Sequence, residues 1–195
     1  MKKILFACLF SFALFGHAAT PKPAPLPSDS VLQISDTFTN QNGRDFKLSD
    51  RRGKPQLVAM FYTSCKYICP LIIDSGKGVD NSLTPAERKN LSILLVSMDP
   101  ARDTPEALMF IVNKRKLDTT RWTLSRTDEK GVRTIAALLG IRYRLLADGE
   151  FNHTSALILL DAEGRIVART ETLGSKPDPA FLAIVKKTLA STEKR

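Results

Sequence analysis

Apolar and polar positions alternate along this chain in a way that divides it into short buried strands and amphipathic helices. Phe38-Thr39-Asn40 and residues 44–48 flank Gln41-Asn42-Gly43, a turn sequence that predicts an N-terminal hairpin. The apolar run 57–61 reads as a buried strand over Gln56–Phe61. Leu71-Ile72-Ile73 then begins a helix that fades around Gly76-Lys77-Gly78. Thr84-Pro85-Ala86-Glu87 combines an N-cap, a first-turn proline and a glutamate at the capping-box position, and so opens a short helix. Residues 91–97 form a second buried strand, ended by Met98-Asp99-Pro100. Thr104-Pro105-Glu106 starts a helix reaching about Arg115, residues 122–124 a short strand, and residues 128–139 a helix stopped by Gly140. Strands follow at 143–146, 154–160 and 165–170, the last two joined through Asp161-Ala162-Glu163-Gly164, and a terminal helix runs from about Asp178 to Leu189.

Strand–helix–strand alternation followed by an antiparallel hairpin and a last helix is the layout of an α/β, thioredoxin-like three-layer sandwich, here with an N-terminal β-hairpin extension. The 195 residues suffice for one such core, and there is no internal repeat, second domain or nucleotide-binding glycine loop. The N-terminus is an address. Lys2-Lys3 precede a twelve-residue apolar run, 4–15, and then Gly16-His17-Ala18-Ala19. This predicts a secretory signal peptide over 1–19, its apolar part short of the ~20 residues that span a bilayer. Residues 20–30, with prolines at 21, 23, 25 and 27, read as a flexible linker, and 31–195 as the folded domain.

Export alters the meaning of the cysteines. Cys8 and His17 belong to the leader, so the mature chain keeps Cys65, Cys69 and His153. In an oxidising compartment a lone cysteine pair ordinarily becomes a disulfide, and keeping it at work takes a reductant or a metal. Cys65 and Cys69 stand at a strand-to-helix junction, where unpaired N–H groups and the positive end of the helix dipole favour a thiolate. Pro70 fits the first turn of a helix, so the helix begins near Cys69 with Cys65 on the loop before it. The loop position matters because i,i+4 helical Cβ atoms lie about 5–6 Å apart, whereas a disulfide needs roughly 3.5–4.5 Å. A static bridge or two buried thiols is the plain alternative.

Charge narrows the partners. The formal net charge is +9, two of it from Lys2 and Lys3, and the basic residues are scattered without interleaved stacking aromatics. With export, this excludes nucleic acid and leaves a solvated basic surface, or a docking face for an acidic protein or an anionic membrane surface.

His153 immediately precedes the strand 154–160, and in this layout the loop entering that strand lies beside the thiol-bearing helix N-terminus. Two thiolates and one imidazole are a soft, low-coordination set suited to Cu(I), and with a further ligand to Cu(II). Zinc would need a carboxylate or water to complete four ligands.

Three features together resemble the SCO/SenC family of exported, copper-binding thioredoxin-like proteins. They are Cys65-x-x-x-Cys69-Pro70 after an apolar strand, Ser97-Met98-Asp99-Pro100-Ala101-Arg102-Asp103-Thr104-Pro105-Glu106, and His153 ahead of residues 154–160 with the Asp161-to-Gly164 turn. The likeness runs from about Asp36 to the terminal helix. It implies that Cys65, Cys69 and His153 ligate copper, and that the protein is a metallochaperone. The copper would pass to a respiratory oxidase subunit or another exported cuproprotein, or the pair would reduce the thiols of the oxidase's binuclear copper centre. A thiol reductant would be a further partner, and the periplasm or the outer face of the cytoplasmic membrane the location. The chain departs from the family pattern at Lys66 and Tyr67, where a proline and an acidic residue are common, and at Asn152, where aspartate is common; each change removes negative charge beside the site. Asp99, Arg102 and Asp103 have a structural reading: Asp99-Pro100 ends a strand, and Asp103 or Thr104 caps the next helix.

Two other chemistries fit a cysteine pair. An exported thiol–disulfide oxidoreductase would use Cys65 and Cys69 without metal, but such proteins space their cysteines by two residues, and resemblance to them would call for a cis-proline where this chain has Asn152-His153-Thr154. A thiol peroxidase would use Cys65 as the peroxidatic and Cys69 as the resolving residue, with threonine expected at the position of Tyr62.

Overall fold

A computed structural model describes residues 24–65 and 67–192. The expected leader, with Cys8 and His17, lies outside the described residues, as do the first part of the linker and Lys66. Where the linker is described it lies along the domain, with Leu26 packed against the core.

The centre is a parallel pair, β3 (Gln56–Phe61) and β4 (Ser92–Ser97), in register from Gln56–Ser92 to Phe61–Ser97. Strand β5 (Trp122–Arg126) continues the parallel set beyond β4, while β8 (Leu157–Leu160) and β9 (Ile166–Thr170) run antiparallel beyond β3. The N-terminal hairpin, β1 (Phe38–Asn40) and β2 (Asp45–Phe46), adds to the free edge of β5, giving the order β2-β1-β5-β4-β3-β8-β9. Every residue of β3 is buried, so both faces of the sheet are covered, as its unbroken apolar run requires.

Helices α1 (Ile68–Asn81) and α3 (Pro105–Arg115) are successive crossovers, β3 to β4 and β4 to β5. Right-handed crossovers advancing the same way share a face, and the Asp74–Arg115 ion pair joins the two helices. The short α2 (Pro85–Lys89), with the expected Thr84–Glu87 capping box, meets α5 (Pro179–Thr192). Helix α4 (Glu129–Leu138), capped by Asp128 and followed by Gly140 in the left-handed region (φ 63°), is left to cover the other face. The expected three layers and hairpin extension are present.

Three boundaries differ from the sequence pattern. Helix α1 does not fade at its glycines but continues to Asn81. A Cβ on Gly76 would lie 2.7 Å from the Trp122 ring, and one on Gly78 would lie 2.4 Å from the carbonyl oxygen of Ser175. These glycines let neighbours approach the helix rather than end it. Strand β5 runs two residues past Leu124 because β1 pairs with its end. The run 154–160 is strand only from Leu157, whereas Phe151–His153 form β7, paired with β6 (Tyr143–Leu145) in a separate two-stranded sheet.

Helix propensity alone makes Gly78→Ala stabilising, but the clash is with backbone, which cannot rotate away. We expect Gly78→Ala to lower stability in urea unfolding by about 1–3 kcal/mol, the range for overpacking; an unchanged or raised midpoint would show that the contact with Ser175 is easily relieved.

Candidate metal centre

The thiol loop lies between the C-terminal end of β3 and the start of α1. Tyr67 is the N-cap residue but offers no side-chain cap. The Cys65 sulfur does that work instead, accepting from the main-chain N–H of Cys69 at 3.3 Å. The Cys69 sulfur accepts in turn from the N–H of Tyr62 at 3.5 Å. Cys69 is buried, Cys65 is partly exposed, and both are free thiols.

This asymmetry sets their acidity. The hydrogen bond from the Cys69 thiol, with the N–H groups of Cys69 and Tyr67 and the Tyr62 side chain adding to it, pulls Cys65 down to about 5 against the opposing effect of burial. The same shared proton, together with burial, pushes Cys69 far up. At neutral pH the pair is therefore one thiolate and one thiol, with a single proton held between two sulfurs. A cavity of about 110 Å³ opens beside them, floored by Phe61, Ile73 and Ile111 with Lys114 at its wall. Tyr67 is 85% exposed, so it is not a packing residue.

The site has a support the sequence did not reveal. Asp103 does not cap α3, since Thr104 takes that place and accepts from Ala107 N–H. Fully buried, the Asp103 carboxylate reaches back to the loop. It accepts from the N–H of Thr63 at 3.1 and 3.2 Å, from the Thr63 hydroxyl, and from the Ser97 hydroxyl at the end of β4. Burial raises its pKa while these donors oppose the rise. Asp103 thus fixes the chain two residues before Cys65, a contact across forty residues of sequence that no local pattern encodes. Asp99, just beyond the end of β4, pairs with Arg102, which also donates to the carbonyl of Gly149 in the turn between β6 and β7.

His153 ends β7 rather than entering β8 through a loop. Its Nδ1 lies 3.2 Å from the carbonyl oxygen of Thr154 and 3.3 Å from the Ser155 hydroxyl. A carbonyl only accepts, so an Nδ1–H donated to Thr154 leaves the lone pair on Nε2. Nε2 is buried and has no hydrogen-bond partner. Among the described residues no three His, Cys, Asp or Glu side chains are gathered closely enough to hold a metal ion. The structure brings the thiols together, and it sets the imidazole on the adjoining hairpin.

Tyr62 links the two parts. Its ring makes an edge contact with His153 at 6.0 Å between centroids and another with Phe151 at 5.1 Å. Its hydroxyl donates to Glu150 at 2.7 Å and accepts from the N–H of Phe151 at 3.3 Å. Burial and the Glu150 bond push this phenol above its ordinary range. One tyrosine thus pins the histidine-bearing hairpin to the end of β3, three residues before Cys65. The donor types are those a soft cation takes: two sulfurs, one of them a thiolate at neutral pH, and an imidazole nitrogen without a hydrogen-bond partner.

A thioredoxin-like sheet that presents a dithiol at a helix N-terminus, beside a histidine-bearing hairpin, defines the class of fold to which this chain belongs. Within that class the chain belongs to the SCO1/SenC family, whose model matches residues 28–190. It is 24% identical over 156 residues to the SCO1 protein homolog of Bacillus subtilis, covering 77% of this chain and 79% of that one. Among solved structures it is similar to Bradyrhizobium japonicum ScoI with copper bound (21% identity, TM-score 0.65, 78% of this chain and 96% of that one). It is also similar to BsSco, a member of the Sco family of cytochrome c oxidase assembly proteins studied for a disulfide switch (22% identity, TM-score 0.66, 79% and 91%).

Alkylation separates the two thiols. Because the Cys65 pKa is lowered, its thiolate persists as pH falls from the ordinary thiol range of roughly 8.5 to about 5. We expect iodoacetamide to modify Cys65 at a rate that drops only near the lower value while Cys69 stays protected. A Cys65 profile centred on the ordinary value, or equal reaction of both, would contradict the shared-proton arrangement.

Proposed function

We propose that this protein is an exported copper carrier that uses Cys65, Cys69 and His153 to hold copper as Cu(I) or Cu(II) and delivers it to the copper centre of a respiratory oxidase. The observation that carries the proposal is the buried, unpartnered Nε2 of His153, whose ring contacts Tyr62, three residues before Cys65. An imidazole nitrogen left without a hydrogen bond in a protein interior costs free energy unless something completes it. A metal ion drawn to two sulfurs would do so.

Membership of the SCO1/SenC family supports the reading, as do copper in ScoI and the part played by the family of BsSco in oxidase assembly. The chain's own residues have distinct duties. Cys65 offers a thiolate at neutral pH, Cys69 gives up its proton as the metal arrives, and His153 supplies Nε2, its Nδ1 facing the Thr154 carbonyl and the Ser155 hydroxyl. Asp103 and Tyr62 hold the loop and hairpin in place. The leader pattern supports export to the periplasm or the outer face of the cytoplasmic membrane. No helix of the described residues is long and apolar enough to cross a membrane.

A second reading has an observation of its own. A partly exposed Cys65 thiolate hydrogen-bonded to a buried Cys69 is the arrangement of an attacking and a resolving thiol. Cys65 would attack a partner's disulfide to form a mixed disulfide, and Cys69 would displace the partner. The partner then holds two reduced sulfurs, and this chain a disulfide that an external thiol reductant reopens. Both roles suit a protein that prepares a copper site.

Copper titration of the reduced protein tests the assignment. We expect one copper per chain, with a sulfur-to-Cu(II) charge-transfer band for the oxidised metal. His153→Ala should weaken binding at least about tenfold, the scale seen even for loss of an outer-shell partner, with an unchanged circular dichroism spectrum. Cys65→Ser and Cys69→Ser should each abolish tight binding. Undiminished affinity in the double serine variant would remove the copper reading and leave the histidine unexplained.

A further inference from the structure

A second polar cavity lies at the far end of the molecule from the thiols. The dithiol loop follows the C-terminal end of β3; this cavity, of about 290 Å³, opens where the parallel strands begin, and Ser92 of β4 and Thr123 of β5 line it. Its remaining wall is mostly cationic, from Arg51, Arg52, Lys54 and Arg121, with Thr120 and one acid, Asp50.

The charges are not equivalent. Arg52 is paired with Glu163, and Arg121 with Asp80 and Asp118. Asp50 accepts from the N–H of Lys47. Arg51 and Lys54 have no carboxylate within ion-pair distance among the described residues. Lys54 reaches only the carbonyl of Lys89, at 3.3 Å. The half-buried Arg51 guanidinium is held by neutral groups alone: Nε donates to Gln56 Oε1 at 2.6 Å, Nη1 donates to Thr123 Oγ1 at 3.0 Å, and the Phe46 ring lies 5.8 Å from its centre. Gln56 also donates to the Arg51 carbonyl.

A cation taken partly out of water and given only neutral partners costs free energy, and proteins ordinarily supply a counter-charge. Burial draws the Arg51 pKa down to about 10, which leaves it fully charged at neutral pH. The side chain is nonetheless fixed in orientation from three sides. A fixed guanidinium fork with an ammonium and two hydroxyls around a small cavity matches a tetrahedral oxyanion: two oxygens for the fork, the others for Lys54 and the hydroxyls.

We propose that this cavity is a phosphate-binding site in which Arg51 and Lys54 supply the charge and Ser92 and Thr123 the hydroxyls. Arg52 also donates to the carbonyl of Ala24, so the segment leading in from the N-terminus runs past the same cavity. Two sources of the ligand chemistry follow: a free phosphate or phosphomonoester, and the headgroup of an anionic phospholipid beside which an exported chain could rest.

The test is titration of the protein with inorganic phosphate at constant ionic strength, with chloride as the control, followed by 15N–1H spectra. Vesicles of phosphatidylglycerol, compared with phosphatidylcholine, form a second arm. The expected result is a saturable shift confined to residues 50–54, 92 and 120–123. Lys54→Gln, on an exposed side chain, should weaken it about tenfold, the loss of one charge-assisted hydrogen bond. Arg51→Gln should abolish it, and the Lys54 variant keeps the test decisive should Arg51→Gln impair folding. Saturation by phosphate alone assigns a soluble ligand; Lys54-dependent binding to phosphatidylglycerol assigns a headgroup; either supports the site. Absence of a saturable response in both arms, or a response that chloride or Lys54→Gln reproduces in full, would overturn it. Copper binding at the opposite end of the sheet should be unaltered throughout.

Discussion

Main-chain N–H groups at one strand-to-helix junction decide the chemistry of this protein. The first turn of α1 has donors with no helical partner and no side-chain cap. The Cys65 sulfur takes one of them, and Tyr62, the first residue beyond β3, gives its N–H to Cys69. Sulfur is a poor acceptor when protonated and a good one as thiolate, so the arrangement favours one ionised sulfur. The four-residue spacing puts the second thiol within reach to share the remaining proton. The rest of the fold keeps that junction in place: a fully buried β3 behind it, an Asp103 carboxylate tying Thr63 to β4, and helix glycines that let α1 lie close to Trp122 and Ser175.

The imidazole is supported separately. It sits on a two-stranded hairpin that shares no ladder with the main sheet, and its link to the thiol loop passes through Tyr62 and Glu150. Such a division suits a carrier. The two sulfurs lie where the thiol loop meets α1 and the nitrogen on a hairpin with its own ladder, so the three side chains come from separate elements.

Much of this was legible in the sequence, for reasons that also mark where legibility stopped. The buried run of β3, the Thr84 capping box, the Thr104-Pro105 helix start and the Gly140 stop are local signals, and the structure has each of them. Gly76 and Gly78 look locally like a helix end, but the contacts that explain them come from residues far along the chain. Strand β7 has only three residues, Phe151 to His153, and its partner lies across a turn, so periodicity had too little length to reveal it. Asp103 carried a cap-like context, yet burial and the Thr63 donors gave it different work. Arg51 appeared as one of many scattered basic residues, because its lack of a counter-charge is a fact of packing alone.

X-ray absorption at the copper edge of the loaded protein most directly tests whether sulfurs and imidazole converge on one ion. The account predicts two sulfur scatterers and an imidazole nitrogen in the wild-type protein, with the imidazole signature lost in His153→Ala and both sulfurs kept. Copper bound through oxygen and nitrogen alone, or an imidazole signal that survives His153→Ala, would contradict it.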